Sequence, residues 1–546
     1  MGANRSSCVT HCCKNPATPI DLVRLPPLML DWLGPDYIIK EQFLLRGDDV
    51  PFLPLFTRAC HRRPSHTTVA PLAASVVQGY YAAMSQSGQI SLPARQLALN
   101  ILNEFDSTHR RATDLLHEDL NLTAEKAFAT DLVCGVVRNS TALDLAIEHA
   151  CGRPISRVAA KMLNILRLGA YELIYTPDTP DYAVVNEAVE LARRTAGPKQ
   201  TAFVNAVLRN LTRTILQRSA PLAAADPRCT LPTSPVMGCL MSAAILPDPA
   251  DNPAKYLATA FSLPHWLVQE WVLSLGFGQS MSVCHASNRR PKLYLQPNTL
   301  RTTAAGLAEL LGGRDVACTL TPDARMVRLD CHVPAALLPG FSQGLFTIQD
   351  PAAAEATAAL APRCGEVILD MCSAPGTKTV RIAQLMDDKG LIVATDADSV
   401  RLAKVTENCT RLGIASVKAV AMPDLAAALR DLPALDGVLL DVPCSNTGVL
   451  ARRCDLRRRL SRRSVSSLAR TQLTLLQTAA SLSPRPRRVL YSTCSVLRAE
   501  NQDVVQGFLE GSPGWRLDFE RLALPAVDPQ TGFDHDGGYI ALLRPN

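Results

Sequence analysis

The sequence predicts a doubly wound α/β domain in its C-terminal part, preceded by an all-α domain and a small α+β module. From Glu366 onward, short apolar segments alternate with helical ones, which is typical of a parallel sheet covered by helices on both faces. From Leu92 to about Gln217, apolar residues recur every three to four positions instead. Residues 255–340 between them mix both patterns.

The all-α domain is predicted over residues 92–217. Leu97, Ile101, Leu102 and Phe105 fall on one face of a helix, and the same spacing returns in AFATDLVCGVVRN, VAAKMLNILRLGAYELIY and VVNEAVELARR. A Gly-Pro pair interrupts the pattern before TAFVNAVLRNLTR resumes it. We expect a bundle of amphipathic helices.

The N-terminal residues 1–85 show no sustained period and form, by this interpretation, a poorly patterned extension, with the functional chain beginning near Met84. This extension contains the cluster Cys8, His11, Cys12 and Cys13. Adjacent cysteines without a second pair of ligands do not fit the usual spacing of a zinc site, so we expect no metal.

Two segments separate the helical domain from the α/β domain. Residues 218–254 are rich in Pro, Ala and Asp without a period, which indicates a linker or surface insertion. Residues 255–340 begin with an amphipathic helix, LPHWLVQEWVLSLG, and continue with the strand-like segments PKLYLQPNTL and ARMVRL around a further helix. The α/β domain is expected over residues 341–546.

Composition narrows the function classes. With 546 residues, of which 47% are hydrophobic and 19% charged, the chain can bury a large core in two to four domains. The odd number of cysteines, 17, without a secretory signal points to reduced thiols in the cytoplasm. No apolar run reaches the roughly 18 residues of a membrane span. A net charge of +6 is compatible with a nucleic-acid partner.

The first predicted strand of the α/β domain runs into DMCSAPGTKT, Asp370 to Thr379. A P-loop needs a glycine directly before the lysine, and Thr377 stands there; the fingerprint G-x-G-x-x-G is also missing. What remains is either a plain connecting turn or a tight strand-to-helix turn whose helix N-terminus favours a carboxylate.

Acidic residues follow the next two strands. Asp396 lies at the tip of the second strand, where a carboxylate commonly binds ribose hydroxyls. Asp424 follows the third strand, and could equally cap a helix. A nucleoside cofactor with a carboxylate and no phosphate site indicates S-adenosylmethionine.

Two cysteines follow the fourth and fifth strands. The fourth strand ends in DVPCSNTG with Asp441 and Cys444, and the fifth ends in STCS with Cys494. Either thiol alone would be ordinary in a core. Two of them at neighbouring strand ends beside Asp441 favour a catalytic role.

Seven arginines lie between Arg452 and Arg463. Such a cluster is often just a solvated face. Because it lies next to the Asp441–Gly448 turn, we expect phosphate contacts from its members Arg452, Arg453, Arg457 and Arg458.

These motifs resemble those of the RNA cytosine-5 methyltransferases of the Sun/RsmB/NOP2 family. The resemblance lies in FTIQDPAAA, LDMCSAPGTKT, LLDVPCSNTGVL and YSTCSVLRAEN, and covers about residues 92–546. AVVNEAVELA and FVNAVLRN resemble the NusB-type RNA-binding domain. The resemblance implies a Rossmann-like methyltransferase domain behind a NusB-like domain and a small α+β RNA-binding module.

The resemblance also implies roles for individual residues. Cys494 would be the nucleophile that attacks the cytosine, Cys444 would assist product release, and Asp441 would contact the ring edge and the methyl-donor end of the cofactor. The S-adenosylmethionine pocket would be lined by Cys372, Ser373, Ala374, Pro375, Gly376, Thr377, Lys378, Asp396, Asp424 and Asp441. The substrate would be ribosomal RNA of the 16S type, free or in a small-subunit precursor, bound by a monomer.

This chain departs from the family pattern at three places. One is its C-terminal segment HDGGYIALLRP, which has Gly-Tyr-Ile where Gly-Phe-Phe is usual, and the other two lie in the quoted motifs. Thr377 stands where a second glycine is usual, and Arg452-Arg453-Cys454-Asp455 replaces Arg-His-Pro-Asp. Three alternatives remain open. A DNA cytosine methyltransferase would use Cys444 as nucleophile, a ribosome-assembly factor would keep the fold without catalysis, and a regulator would bind metal through the N-terminal cysteines.

Overall fold

The computed structural model describes residues 91–108, 110–195, 197–331 and 333–546. The predictions about residues 1–85, including the start near Met84 and the Cys8–Cys13 cluster, lie outside the described residues. In the part of the chain that is described, no helix has the length and apolarity that crossing a membrane requires.

The described residues up to Thr214 form the predicted helical domain. Its helices are α1 (Ala94–Ser107), α2 (Ala112–Asp119), α3 (Lys126–Arg138), α4 (Ser140–Cys151), α5 (Ala160–Tyr175), α6 (Asp181–Thr195) and α7 (Pro198–Thr214). Leu97, Ile101, Leu102 and Phe105 of α1 are buried, as their spacing predicts. Helix α5 is central: a methyl group added at Gly169 would lie 2.7 Å from the Leu208 side chain of α7.

The segment predicted as a linker or insertion contains a small sheet. Its strands are β1 (Ile215–Pro221), β2 (Thr230–Pro232) and β3 (Met237–Met241). Both pairings are antiparallel, and the order is β1-β3-β2. The prediction of a linker or surface insertion over residues 218–254 did not foresee these strands, because strands of three to seven residues are too short to show a period.

The α+β module follows as expected. Its elements are α8 (Pro253–Ala260), α9 (His265–Asn288), β4 (Leu293–Pro297), α10 (Ala304–Gly312), β5 (Cys318–Leu320), β6 (Val327–Leu329) and β7 (Phe346–Ile348). The four strands form an antiparallel sheet in the order β5-β6-β4-β7. Strand β7 lies in the FTIQD segment that the sequence assigned to the next domain, so the sheet of this module extends beyond residue 340.

The C-terminal part is the predicted doubly wound domain. Its helices are α11 (Pro351–Leu360), α12 (Thr377–Leu385), α13 (Ser399–Leu412), α14 (Leu425–Arg430), α15 (Arg462–Ala480) and α16 (Gln502–Gly511). Its strands are β8 (Val367–Asp370), β9 (Leu391–Ala394), β10 (Val417–Ala419), β11 (Gly437–Asp441), β12 (Val489–Thr493), β13 (Trp515–Ala523) and β16 (Gly538–Pro545), with a separate pair β14 (Ala526–Val527) and β15 (Asp534–His535).

The order of the main sheet locates the functional edge. It is β10-β9-β8-β11-β12-β16-β13, in which the first five strands are parallel and β16 is antiparallel to both of its neighbours, β12 and β13. The interiors of β8, β11 and β12 are buried, because helices cover both faces. Ligands of such sheets lie beyond the carboxyl ends of the parallel strands, and the motifs lie there.

Candidate active site

The two cysteine loops leave neighbouring strands at the same edge of the sheet. The parallel register pairs Asp441 at the end of β11 with Ser492 of β12. The chain beyond each strand therefore begins at the same level, and the sulfur atoms of Cys444 and Cys494 lie 3.0 Å apart. The structure thus brings together the two thiols that the sequence singled out.

The surroundings of the two thiols differ. Cys494 Sγ also lies 3.0 Å from Asn446 Oδ1, while the amide of Asn446 donates to the Cys444 carbonyl at 2.8 Å. The hydrogen bond with Cys494, followed by burial, raises the pKa of Cys444 well above its usual value. Cys444 therefore keeps its proton and can donate a hydrogen bond to the Cys494 sulfur.

A buried carboxylate ties the two cysteine loops together. Glu500 is fully buried and accepts hydrogen bonds from the Ser445 backbone amide at 2.8 Å and from the Ser495 hydroxyl at 2.6 Å. The Ser445 hydroxyl and the Gln472 amide donate to it as well. The residue after each cysteine is thus bound to one carboxylate, which restrains both loops.

A lysine and an aspartate lie beside the thiols. Lys378 Nζ donates to Asp441 Oδ2 at 2.5 Å, and the Ser492 hydroxyl donates to Asp441 Oδ1 at 3.1 Å. Burial alone would lower the pKa of Lys378, but attraction to Asp441 outweighs it and the pKa is raised. Lys378 therefore stays cationic, with Cys494 among its neighbours.

A cavity of about 70 Å³ opens at this edge of the sheet. Its lining includes Cys494, Lys378, Asp350, Asp536 and Arg521. Cys444 is not among the lining residues and is 8% exposed. Of the two thiols, Cys494 is the one that a molecule in this cavity can contact.

The Cys372–Lys378 turn joins β8 to α12. The Ser373 backbone amide donates to the Thr395 carbonyl at 3.0 Å, and the Ala374 amide donates to Asp396 Oδ2 at 3.2 Å. Gly376 has φ of 100°, and a side chain there would meet Val405 Cα at 3.1 Å. Thr377 comes after this position, as the first residue of α12, so its side chain is accommodated.

The rim around this turn fits S-adenosylmethionine. The first amides of α12 have no acceptor within the helix and can bind a carboxylate. Asp396, buried at the end of β9, presents the carboxylate that ribose hydroxyls need. Two buried oxygens, Asp370 Oδ1 and Thr395 Oγ1, have no protein partner. Asp424 ends a short helical turn after β10 and is exposed.

Arg457 does not lie at an RNA-facing surface. It is 5% exposed and donates to the backbone carbonyls of Arg138, Phe261 and Ser287 and to the side chain of Asn288. The prediction of a phosphate contact is therefore wrong for Arg457, because its donors are used inside the protein. It joins the doubly wound domain to the helical domain and to α9.

The other three arginines differ in exposure. Arg452 donates to Asp536 at 2.6 Å and to Asp350 at 2.9 Å, so two buried carboxylates compensate its charge, and a phosphate contact from it stays a prediction. Arg458 pairs with Asp106 and lies over the Phe105 ring of α1. Arg453 is exposed and remains a candidate for phosphate contact.

A second pair of thiols lies under the arginine segment. Cys454, which replaces the proline usual in the motif, is fully buried, and Cys134 of α3 is 7% exposed. A hydrogen bond with Cys134, then the charges of Arg138 and Arg457, lower the pKa of Cys454 to about 7. The departure at Cys454 thus belongs to the contact between domains and not to the cavity at Cys494.

Several residues of the site were missed by sequence reasoning. Glu500 and Asn446 lie inside the quoted motifs, but only their spacing from the cysteines could have signalled them. Asp350 and Asp536 lie 186 residues apart and meet because the Asp536 amide donates to Asp350 at 3.1 Å. Nothing in their local sequence signals that contact.

Comparison with known proteins identifies the family of this chain. A family model described as 16S rRNA methyltransferase RsmB/F matches residues 357–531, and the NusB family model matches residues 92–213. The probable ribosomal RNA small subunit methyltransferase B of Synechocystis is 33% identical over 433 residues, covering 78% of this chain and 91% of that relative. The chain belongs to the RsmB/F methyltransferase family.

Other relatives and one solved structure extend the comparison. The corresponding protein of Bacillus subtilis, with the same description, is 29% identical and covers 78% of this chain and 90% of its own. Ribosomal RNA small subunit methyltransferase B of Salmonella arizonae is 30% identical, covering 71% of this chain and 83% of its own. The crystal structure of PH0851 covers 83% of this chain and 99% of its own at a TM-score of 0.62 and 20% identity, and supports the fold.

Proposed function

We propose that this chain methylates carbon 5 of a cytosine in 16S ribosomal RNA, through a covalent intermediate on Cys494, with S-adenosylmethionine as methyl donor. Membership of the RsmB/F family supports the reaction class, and the relatives named as small-subunit ribosomal RNA methyltransferases support the substrate. One observation supports Cys494 as the nucleophile. Cys494 lines the cavity, whereas Cys444 does not, and the raised pKa of Cys444 keeps that thiol protonated.

Carbon 5 of cytosine is a poor nucleophile, and covalent catalysis divides its reaction into easier steps. The Cys494 thiolate bonds to carbon 6, and the electron pair of the C5–C6 double bond makes carbon 5 nucleophilic. After carbon 5 has gained the methyl group, a base removes its proton. The C5–C6 double bond re-forms, and the bond between sulfur and carbon 6 breaks.

The protein groups around Cys494 fit these steps. Lys378 and the Cys444 thiol stabilise the thiolate before it attacks. Cys444 can return a proton to the Cys494 sulfur as it leaves, which is the assistance in release that the family resemblance implies. Asp441, whose carboxylate is held by Lys378 and Ser492, would accept a hydrogen bond from the amino group at the cytosine edge.

The bound cofactor would supply an electrophilic methyl group on a sulfonium. The residues of this chain that would hold it are the Cys372–Lys378 turn, Asp396 and Asp424, with the amides of α12 for its carboxylate and Asp396 for its ribose. Asp441, at the end of β11 and three residues before Cys444, contacts that turn through its ion pair with Lys378.

The substrate cytosine must be unpaired or flipped out to reach a cavity at a sheet edge. RNA recognition commonly uses such unstacked bases. The helical domain, which the NusB family model matches, would add contact area and set the register of the RNA.

The test is methylation of a 16S ribosomal RNA transcript by the purified full chain with S-adenosylmethionine, followed by bisulfite sequencing. We expect one protected cytosine and its loss with Cys494→Ala. Bisulfite sequencing of ribosomal RNA from cells with and without the gene would name the natural site. RNA binding without any new 5-methylcytosine would favour the alternative of a non-catalytic assembly factor.

A further inference from the structure

We infer that Arg521 binds a backbone phosphate of the substrate RNA at the mouth of the Cys494 cavity, and that Glu355 competes with that phosphate. This inference rests on the proposed function, because it assigns a contact to the same RNA. Arg521 lies on β13 and Glu355 on α11, and both line the cavity that contains Cys494. Neither lies in a motif that pointed to the site.

In the described part of the chain, two cationic side chains line the cavity, and one of them is available to bind a phosphate. Among the described residues that line the cavity, the cations are Lys378 and Arg521. Lys378 is 17% exposed and is bound to Asp441. Arg521 is 51% exposed, so its guanidinium reaches solvent at the cavity.

Arg521 forms an ion pair with Glu355. Its guanidinium donates to Glu355 Oε2 at 2.6 Å, and the Glu355 side chain is 53% exposed. An ion pair between two exposed side chains is worth little, because water screens both charges. Phosphate oxygens can therefore replace the carboxylate at small cost, and a guanidinium matches a phosphate with two parallel hydrogen bonds.

The phosphates of a bound nucleotide would lie near Arg521. A nucleotide whose base contacts Cys494 must have its ribose and phosphates at the opening of the cavity. Arg452, which sequence reasoning offered for phosphate, is occupied by Asp350 and Asp536. Arg521 supplies at the cavity the exposed positive charge that Arg452 does not.

Three variants of the full chain test this assignment, with a fluorescein-labelled single-stranded RNA oligonucleotide containing cytidine as probe and no cofactor present. Arg521→Gln should weaken binding about threefold at low salt and lower the slope of log K against log salt by about 0.7, the share of one phosphate. Glu355→Gln should tighten binding, because the competing carboxylate is gone. The matched control is Arg544→Gln, since Arg544 pairs with Asp518 at 2.8 Å on the same sheet away from the cavity.

The two substitutions thus have effects of opposite sign, whereas loss of a purely structural ion pair would shift binding in the same direction in both variants. If Arg521→Gln and Arg544→Gln bind the RNA equally, with equal salt slopes, the assignment is wrong. Weakening by Glu355→Gln would also overturn it, because the pair would then only support the fold. Failure of the wild-type chain to methylate leaves this binding assay unaffected, so the two proposals fail separately; failure to bind RNA at all would contradict both.

Discussion

Two pairs of neighbouring cysteines lie in this molecule, and only one has the features of an active site. Cys444 and Cys494 lie 3.0 Å apart beside a cavity, whereas Cys134 and Cys454 lie buried between the helical domain and the arginine segment. Electrostatics alone would favour the second pair, because the pKa of Cys454 is lowered to about 7. Access to a substrate, more than acidity of the thiol, therefore distinguishes the proposed nucleophile Cys494 from the structural thiol Cys454.

The largest expected effect is on methylation activity, which should be lost on substitution in the first cysteine pair and kept on substitution in the second. Cys494→Ala should reduce methylation of a 16S transcript by at least about a thousandfold, because the covalent route is lost. Cys454→Ala should keep the wild-type rate per folded molecule, because Cys454 does not reach the cavity. Incorporation of labelled methyl groups measures both. Comparable losses in the two variants would contradict the distinction.

The rates at which Cys494 and Cys454 are alkylated test the same difference in access. With the native chain, iodoacetamide should modify Cys494 at least about a hundredfold faster than Cys454, because modification of Cys454 requires local opening of the structure. Peptide mass spectrometry after timed quenching measures the two rates. Unfolding in urea is the control and should bring the rates together. Faster modification of Cys454 in the native chain would show that acidity, not access, decides.

Stability should depend on the segment around the second thiol pair. Arg457→Met should lower the free energy of unfolding by about 3 kcal/mol or more, because several buried carbonyls lose their donor. Arg453→Met, at an exposed position four residues earlier, should change it by less than about 0.5 kcal/mol. Urea denaturation monitored by circular dichroism compares them. A smaller cost for Arg457→Met than for Arg453→Met would rule out the anchoring role.

The smallest expected effect is on the pH dependence of stability, through Asp370 at the end of β8. Burial, partly offset by the Thr379 hydroxyl, raises the pKa of Asp370 from 3.8 to about 7. Between these values the folded chain binds a proton that the unfolded chain has lost, so this group's contribution to stability falls as pH rises and levels off above about 7. Asp370→Asn removes that dependence.

The variant should therefore gain about 1–2 kcal/mol relative to wild type between pH 5.5 and pH 8. Urea unfolding of both proteins at the two pH values measures the difference, and shifts of groups common to both cancel. A relative gain in the opposite direction would mean that Asp370 is ionised in the folded chain throughout this range.

The layout of the fold could be predicted from the sequence because its periods are long and regular. The helical spacing of α1 and the apolar run of β11 both predicted the observed elements. The three-stranded sheet at residues 215–241 escaped, because its strands are short and interrupted by proline. Local patterns report local structure, and short strands leave too few repeats.

The site shows the same limit in chemical terms. The cysteines were located because strand order places consecutive loops at one edge of the sheet. Arg457 was misassigned, and the partners of Arg452 were missed, because a run of charges does not reveal buried partners far along the chain, such as the Arg138 carbonyl or Asp536. Their roles follow only from tertiary contacts.

The most direct measurement of the central claim is trapping of the protein–RNA adduct. The full-length Cys444→Ala variant, incubated with 16S transcript and S-adenosylmethionine, should accumulate a species that resists denaturing electrophoresis, since release of the methylated base is impaired while Cys494 still attacks. Cys494→Ala should form none. An adduct in Cys494→Ala and none in Cys444→Ala would mean that Cys444 is the nucleophile and would contradict the account.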